Sequence, residues 1–181
     1  SFVARADLAS WKLFGWLARL RRTIFIDREN RTRSGAHLEQ MTERMIKGDS
    51  LILFPEGTST DGGHVLPFKS SLFAIAERWP GDEPLVVQPV SIVYTRINNM
   101  PISRHWRPYI AWFGDMELGP HLWDALRLGR ITAVVTFHEP VTLKTVDSRK
   151  EMSAYCYGAI SRSVEVLNAG YEVPEPLDEA A

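Results

Sequence analysis

Leu51-Ile52-Leu53-Phe54-Pro55-Glu56-Gly57-Thr58-Ser59-Thr60-Asp61-Gly62 carries an apolar run into a polar loop. Leu51 to Phe54 has the length and character of a fully buried strand. Pro55 ends it, because proline has no N–H to give to a ladder. A carboxylate, a glycine and then hydroxyl and acid side chains follow, an order that exposes Glu56 and the backbone at Gly57. Loops at the ends of parallel strands are where α/β proteins place their chemistry. Asp61-Gly62 alone is a common turn dipeptide, so the meaning of the loop depends on what surrounds it.

Periodicity on either side predicts strands alternating with helices. Toward the N-terminus, Asp7 opens a helix whose stripe is Leu8, Trp11, Phe14, Trp16, Leu17 and Leu20, reaching Arg22. Thr23 to Asp27 reads as a β-branched and aromatic strand. Gly35 to Lys47 reads as a helix stopped by Gly48. Toward the C-terminus, Ser70 to Trp79 is a predicted helix and Leu85 to Tyr94 a strand. Tyr109 to Phe113 is a short strand, His121 to Arg127 a short helix, Ile131 to Phe137 a strand and Ser148 to Ala169 the last helix. This alternation predicts an α/β fold, a mostly parallel sheet flanked by helices. The expected organisation is one domain over residues 1–170 and an acidic, flexible tail over 171–181, broken by Pro174 and Pro176.

Composition narrows the function. The chain has 181 residues, is 45% apolar and 24% charged, and carries a formal net charge of −1. That is a globular core with no global field to attract nucleic acid, so no nucleic-acid partner is expected. Charge is unevenly spread. Arg5, Lys12, Arg19, Arg21, Arg22, Arg28, Arg31 and Arg33 face only Asp7, Asp27 and Glu29 in the first third, whereas Glu172, Glu175, Asp178 and Glu179 crowd the tail. A basic N-terminal third fits contact with an anionic membrane surface or carrier. Cys156 is the single cysteine, which fits a reducing compartment. No apolar run approaches the about 20 residues of a spanning helix, so the expected location is peripheral, on the cytoplasmic face of the membrane. No histidine cluster has metal-ligand spacing, and no metal or bound cofactor is expected.

The Phe54-Pro55-Glu56-Gly57-Thr58 run resembles the third conserved block of the glycerolipid acyltransferases, the lysophosphatidic acid and lyso-ornithine lipid acyltransferase type. Phe25-Ile26-Asp27-Arg28 resembles their second block, Pro67-Phe68-Lys69 the segment after the third, and Val86-Val87-Gln88-Pro89-Val90 the fourth. Ser1 to Ala6, Leu13-Phe14-Gly15 and Trp112 to Met116 are also similar to this family, and the likeness runs over roughly residues 1 to 165. The third block is specific. The others gain weight from their order. The resemblance implies an α/β fold with its site at the strand ends. It also implies O-acyl transfer from an acyl carrier protein or acyl-CoA thioester to the hydroxyl of a lysolipid, in membrane lipid biosynthesis.

The family's first block, His-x4-Asp, supplies the general base and the acid that orients it. The residues five positions after His37, His64, His105, His121 and His138 are Thr42, Lys69, Ile110, Leu126 and Leu143, and none is aspartate. The resemblance therefore implies that the dyad lies upstream of Ser1 and that the domain lacks its N-terminal part. No catalytic residue is assigned within the chain, which is expected to be inactive alone.

The retained blocks would hold the acceptor. Arg28 has the planar fork for a phosphate or carboxylate. By resemblance Glu56 and Gly57 bind the acceptor or order the site, Thr58, Ser59 and Thr60 offer hydroxyls, and Lys69 adds a positive charge. Phosphate-handling members carry arginine where this chain has Ser59. A neutral hydroxyl is a poor substitute for a bidentate cation facing a dianion, so lyso-ornithine lipid is favoured over 1-acyl-glycerol-3-phosphate. The plainer readings are a solvated Arg28, a capping Glu56 and a surface Lys69. His121, Trp123 and His138 read as structural. The competing function is a non-catalytic lipid-binding or interaction remnant of the same fold. A serine hydrolase has no support, since there is no Gly-x-Ser-x-Gly elbow.

Overall fold

The computed structural model describes residues 3–5, 24–26 and 34–171. The expected Asp7–Arg22 helix and the tail from residue 172 lie outside the described residues. Two short strands, β1 (Val3–Arg5) and β2 (Ile24–Ile26), pair in parallel, with Val3 opposite Ile24. Helix α1 spans Ser34–Ile46. Gly48 turns the chain out of it at φ 88°, a left-handed value that favours glycine. Just beyond, the Arg44 guanidinium and the Asp49 carboxylate close a 2.7 Å ion pair.

A three-stranded antiparallel sheet forms the centre, in the order β4 (Met100–Pro101), β3 (Val90–Ile97), β5 (Ile131–Phe137). Among the described residues parallel pairing is confined to β1 and β2, so the expectation of a mostly parallel sheet is corrected here while the α/β layering stands. Asn98 explains the reversal. Asn98 and Asn99 take left-handed φ values of 50° and 69°, the geometry of a tight hairpin turn from β3 into β4. The Asn98 side chain also accepts from Arg130 N at 2.9 Å and donates to Leu128 O at 2.9 Å. The end of β3 is thereby tied to the start of β5, so β5 must run back along it. Alternation of elements in the sequence cannot reveal such a tie.

Other predicted elements shifted for local reasons. Leu51–Phe54 forms no ladder among the described residues beyond a bridge at Ile52. The predicted strand at Leu85 to Tyr94 is split. Val87 bridges Val141, Pro89 interrupts, and β3 begins at Val90. Ser70–Phe73 is a 3-10 turn leading into α2 (Ala74–Glu77). The expected strand at Tyr109–Phe113 is absent, and a 3-10 turn occupies Arg107–Tyr109 instead. Pro108 presets helical φ there and removes a ladder donor. Helix α3 (Leu118–Arg127) starts three residues before the expected His121 and carries Pro120 in its first turn, where a missing N–H costs nothing.

Helix α4 (Arg149–Asn168) is the longest element among the described residues. Ser148 caps it by accepting from Glu151 N, and the Glu151 carboxylate accepts from Asp147 N, a reciprocal arrangement close to a capping box. One face of α4 buries Val164 and Leu167 against Val93 of β3. The other end packs Met152 and Cys156 with Phe73, Ala76 and Val141. A third cluster joins Met41 of α1 to Ile75 of α2, and Leu85 borders both of the latter groups. Met152 is fully buried. Met152→Ala should lower the unfolding free energy by about 2–5 kcal/mol, the usual range for a truncated core side chain. Urea denaturation of both proteins measures it, and a loss under about 1 kcal/mol would mean the site collapses without a cavity.

Candidate functional site

Pro55 sets the loop in place. Its carbonyl accepts from Lys69 N at 2.9 Å, so the two ends of the 55–69 excursion meet. Glu56 fastens the same closure, its Oε2 accepting from Leu66 N at 2.8 Å. Gly57 lies between them, buried, at φ 79°. A Cβ there would come 2.7 Å from Lys69 Nζ and 2.9 Å from its Cε, so the Lys69 side chain lies directly across the glycine. Glycine is needed for its left-handed backbone, while the tip of the exposed Lys69 side chain could swing aside for a Cβ.

The tip of the loop has its own order. Thr60 Oγ1 accepts from Gly62 N and donates to His64 O, both at 3.2 Å, and Asp61 Oδ1 accepts from Gly63 N at 2.8 Å. Asn168 at the end of α4 donates from Nδ2 to the carbonyls of Gly62 and Gly63 at 3.1 and 3.2 Å. Arg107 Nη2 donates in turn to Asn168 O at 3.2 Å. The loop, the last turn of α4 and the 3-10 turn at Arg107 thus form one hydrogen-bonded unit.

A cleft of about 1210 Å³ opens beside this unit. Its walls are mostly apolar, with Leu53, Phe54, Val86, Ile92 and Tyr94 along them and Glu56 and Thr60 among the polar groups. Ile92 and Tyr94 belong to the face of β3 turned away from α4, and both are exposed. The structure therefore brings Glu56, Gly57 and Lys69 together and sets Glu56 in the cleft wall. Thr58, Ser59 and Lys69 are exposed and do not line the cleft. Arg28 lies outside the described residues.

One polar group went unnoticed in the sequence. Ser91 is 1% exposed, and its Oγ lies 2.9 Å from Ser163 Oγ and 3.1 Å from His138 Nε2. A serine amid Val90, Ile92 and Val93 is the signal that a buried partner was needed. Burial, and then the positive charge of Arg162, hold the His138 imidazole below its ordinary value of 6.5. His121 is also structural, its Nε2 3.3 Å from Ile110 O. Burial pushes the Cys156 thiol up to about 11, which leaves no thiolate for nucleophilic chemistry. Among the described residues no three His, Cys, Asp or Glu side chains are grouped to hold a metal ion, and no helix is long and apolar enough to cross a membrane.

The acyltransferase family model matches residues 1–93, which contain the Phe25–Arg28, Phe54–Thr58 and Val86–Val90 blocks. The lyso-ornithine lipid O-acyltransferase of Brucella abortus (strain 2308) is 39% identical over 178 residues, covering 97% of this chain and 67% of that protein. The chain belongs to the acyltransferase family. The lyso-ornithine lipid O-acyltransferase of Rhizobium meliloti (strain 1021) is 41% identical over 155 residues, 84% of this chain and 53% of that protein. The crystal structure of the 1-acyl-sn-glycerophosphate (LPA) acyltransferase PlsC from Thermotoga maritima matches with a TM-score of 0.61 at 26% identity, covering 96% of this chain and 58% of that one. This acyltransferase-family chain thus spans between about half and two thirds of these relatives' lengths. Its α/β fold is that of the solved family member.

Two outcomes follow from the site. Gly57→Ala should destabilise the protein by about 1–2 kcal/mol, since a Cβ is strained at this φ. Thermal unfolding tests it, and an unchanged midpoint would mean the loop relaxes freely. The depressed His138 value means the unfolded chain binds its proton more readily. The stabilising contribution is therefore full above pH 6.5 and fades as pH falls through the lower folded value. His138→Gln should flatten that part of the stability–pH curve. Parallel urea titrations from neutral to acid pH check it, and identical slopes for both proteins would remove His138 as the cause.

Proposed function

We propose that this chain forms the acceptor-holding part of an O-acyltransferase that moves a fatty acyl group from an acyl carrier protein or acyl-CoA thioester to the hydroxyl of a lysolipid. The observation that carries the reading is the Phe54–Gly57 turn, which sets a fixed carboxylate at the wall of a large apolar cleft. A lysolipid has a polar head and a long apolar tail, and a mostly apolar cleft with Glu56, Thr60 and Asp61 on its wall suits both. In the transfer, the acceptor hydroxyl oxygen bonds to the thioester carbonyl carbon and its proton passes to a base. The C–S bond then breaks, and the thiol leaves with a proton. The family's base is the histidine of His-x4-Asp, which none of the five histidines here matches. The residues of this chain position the acceptor.

Lyso-ornithine lipid is the proposed acceptor, ahead of 1-acyl-glycerol-3-phosphate. Its headgroup carries an ammonium and a carboxylate rather than a phosphate. Glu56 has one oxygen engaged by Leu66 N and the other available for the ammonium, while Arg28 would supply positive charge for the carboxylate and Lys69, outside the cleft wall, would add only a background positive field. Ser59 adds no charge, in keeping with an acceptor short of negative charge. The two named lyso-ornithine lipid relatives support this choice. The basic N-terminal third would hold the protein peripherally on an anionic membrane, on its cytoplasmic face.

Acceptor preference, measured as kcat/KM in a protein that includes the His-x4-Asp block, tests the reading. Arg28→Ala should impair acceptor use more than Ser59→Ala, because a charge-assisted hydrogen bond is worth about 1.5–3 kcal/mol and a neutral one about 0.5–1.5. Ser59→Arg should raise use of 1-acyl-glycerol-3-phosphate relative to lyso-ornithine lipid by about tenfold. A strong native preference for 1-acyl-glycerol-3-phosphate would sink the acceptor assignment. Full transfer by a protein without the His-x4-Asp block would overturn the assignment of the base.

A further inference from the structure

Helix α3 shows an apolar side that no described residue covers. His121 and Ala125 are half-buried, and His121 reaches Ile110 O. At roughly 100° per residue, Leu122, Trp123 and Leu126 fall on an adjoining stripe facing outward. Leu122 is 40% exposed, Trp123 64% and Leu126 67%. Next to α3, the 3-10 turn presents Trp106 and Tyr109, with ring centroids 5.4 Å apart and both rings exposed. Isolated exposed apolar side chains are ordinary, but two neighbouring elements that both turn such groups outward mark an interaction surface.

Charge and position say what meets it. Arg104 before the turn, Arg127 beside the stripe and Arg130 after α3 make no side-chain ion pair among the described residues. Residues 98–114 carry Arg104, His105 and Arg107 but no acid. Asp124 points to the opposite side of α3 from Leu122 and Leu126, and Asp115 and Glu117 sit before its first turn. Exposed tryptophan and tyrosine bordered by arginine suit the headgroup layer of a bilayer. The surface is also continuous with the cleft, since Ile102, Ile110, Ala111 and Trp112 of the same segment line its wall.

We propose that the 3-10 turn at Trp106–Tyr109 and the Leu122–Trp123–Leu126 stripe of α3 form a docking surface for an anionic lipid bilayer, at the mouth of the acceptor cleft. The proposal deepens the lysolipid reading and rests on it for the source of the lipid. Such contact lets an acceptor enter the cleft without its tail crossing water.

Co-sedimentation with vesicles of equal parts phosphatidylcholine and phosphatidylglycerol tests it without turnover. Trp123→Ala combined with Leu126→Ala should weaken binding by about tenfold or more while leaving the far-ultraviolet dichroism unchanged, because both side chains are already exposed. Arg127→Gln with Arg130→Gln should reduce the preference for these vesicles over pure phosphatidylcholine. Unchanged binding by the Trp123/Leu126 variant would overturn the proposal. So would intact vesicle binding with lost affinity for acyl carrier protein, which would assign the face to a protein partner. Failure of the lysolipid reading looks different, because vesicle binding would still map to this face while a protein that includes the His-x4-Asp block acylates no lysolipid.

Discussion

Helix α4 lies against the inner face of β3, and the central sheet, the Phe73 cluster and the 55–69 loop are tied to that helix. Val164 and Leu167 bury Val93 on one stretch, and Ser163 meets Ser91 within the same interface. A buried hydroxyl without a partner costs more than a mismatched methyl, so the Ser91–Ser163 pair selects one register between helix and strand. The same helix carries Met152 and Cys156 into the cluster with Phe73, and its last residue, Asn168, holds the loop tip. Sheet, helix and functional loop are therefore set by one packed element.

The loop itself is rigid for reasons independent of ligand. Its two ends are joined by the Lys69–Pro55 backbone bond and the Glu56–Leu66 bond, and Gly57 accepts a conformation that other residues resist. Preorganisation of this kind matters for transfer chemistry, because an acceptor held in line with a thioester gains more than any single contact supplies. Under the proposed function Glu56 has two roles. One oxygen maintains the turn, and the second is left at the cleft.

The cleft takes its character from a sheet with unlike faces. Ser91 and Val93 point into α4 and Ile92 and Tyr94 away from it, and residues of both faces border the cleft. Alternation along β3 thus builds the core and the lipid-sized groove from the same eight residues. A groove of this size, apolar along its length and polar where Glu56 and Thr60 stand, matches the two-part chemistry of the lipids named for the family's members.

The helices over 34–46, 118–127 and 149–168, strand β5, the helix stop at Gly48 and family membership were legible in the residues, whereas the expected strand at Tyr109–Phe113 does not form and Gly57, expected to be exposed, is buried. The legible features depend on short-range rules, such as the apolar period, the need for a left-handed backbone, or the spacing of the blocks. The direction of β5 was not legible, because it follows from Asn98 bonding to residues some thirty positions ahead of it in the chain, a contact with no local signature. Nor was the partner of Ser91, which is 72 residues away, or the placement of Thr58 and Ser59 outside the cleft wall. Local sequence determines which conformations a segment prefers. Only the burial of one segment against another decides which polar groups must pair and which faces stay open.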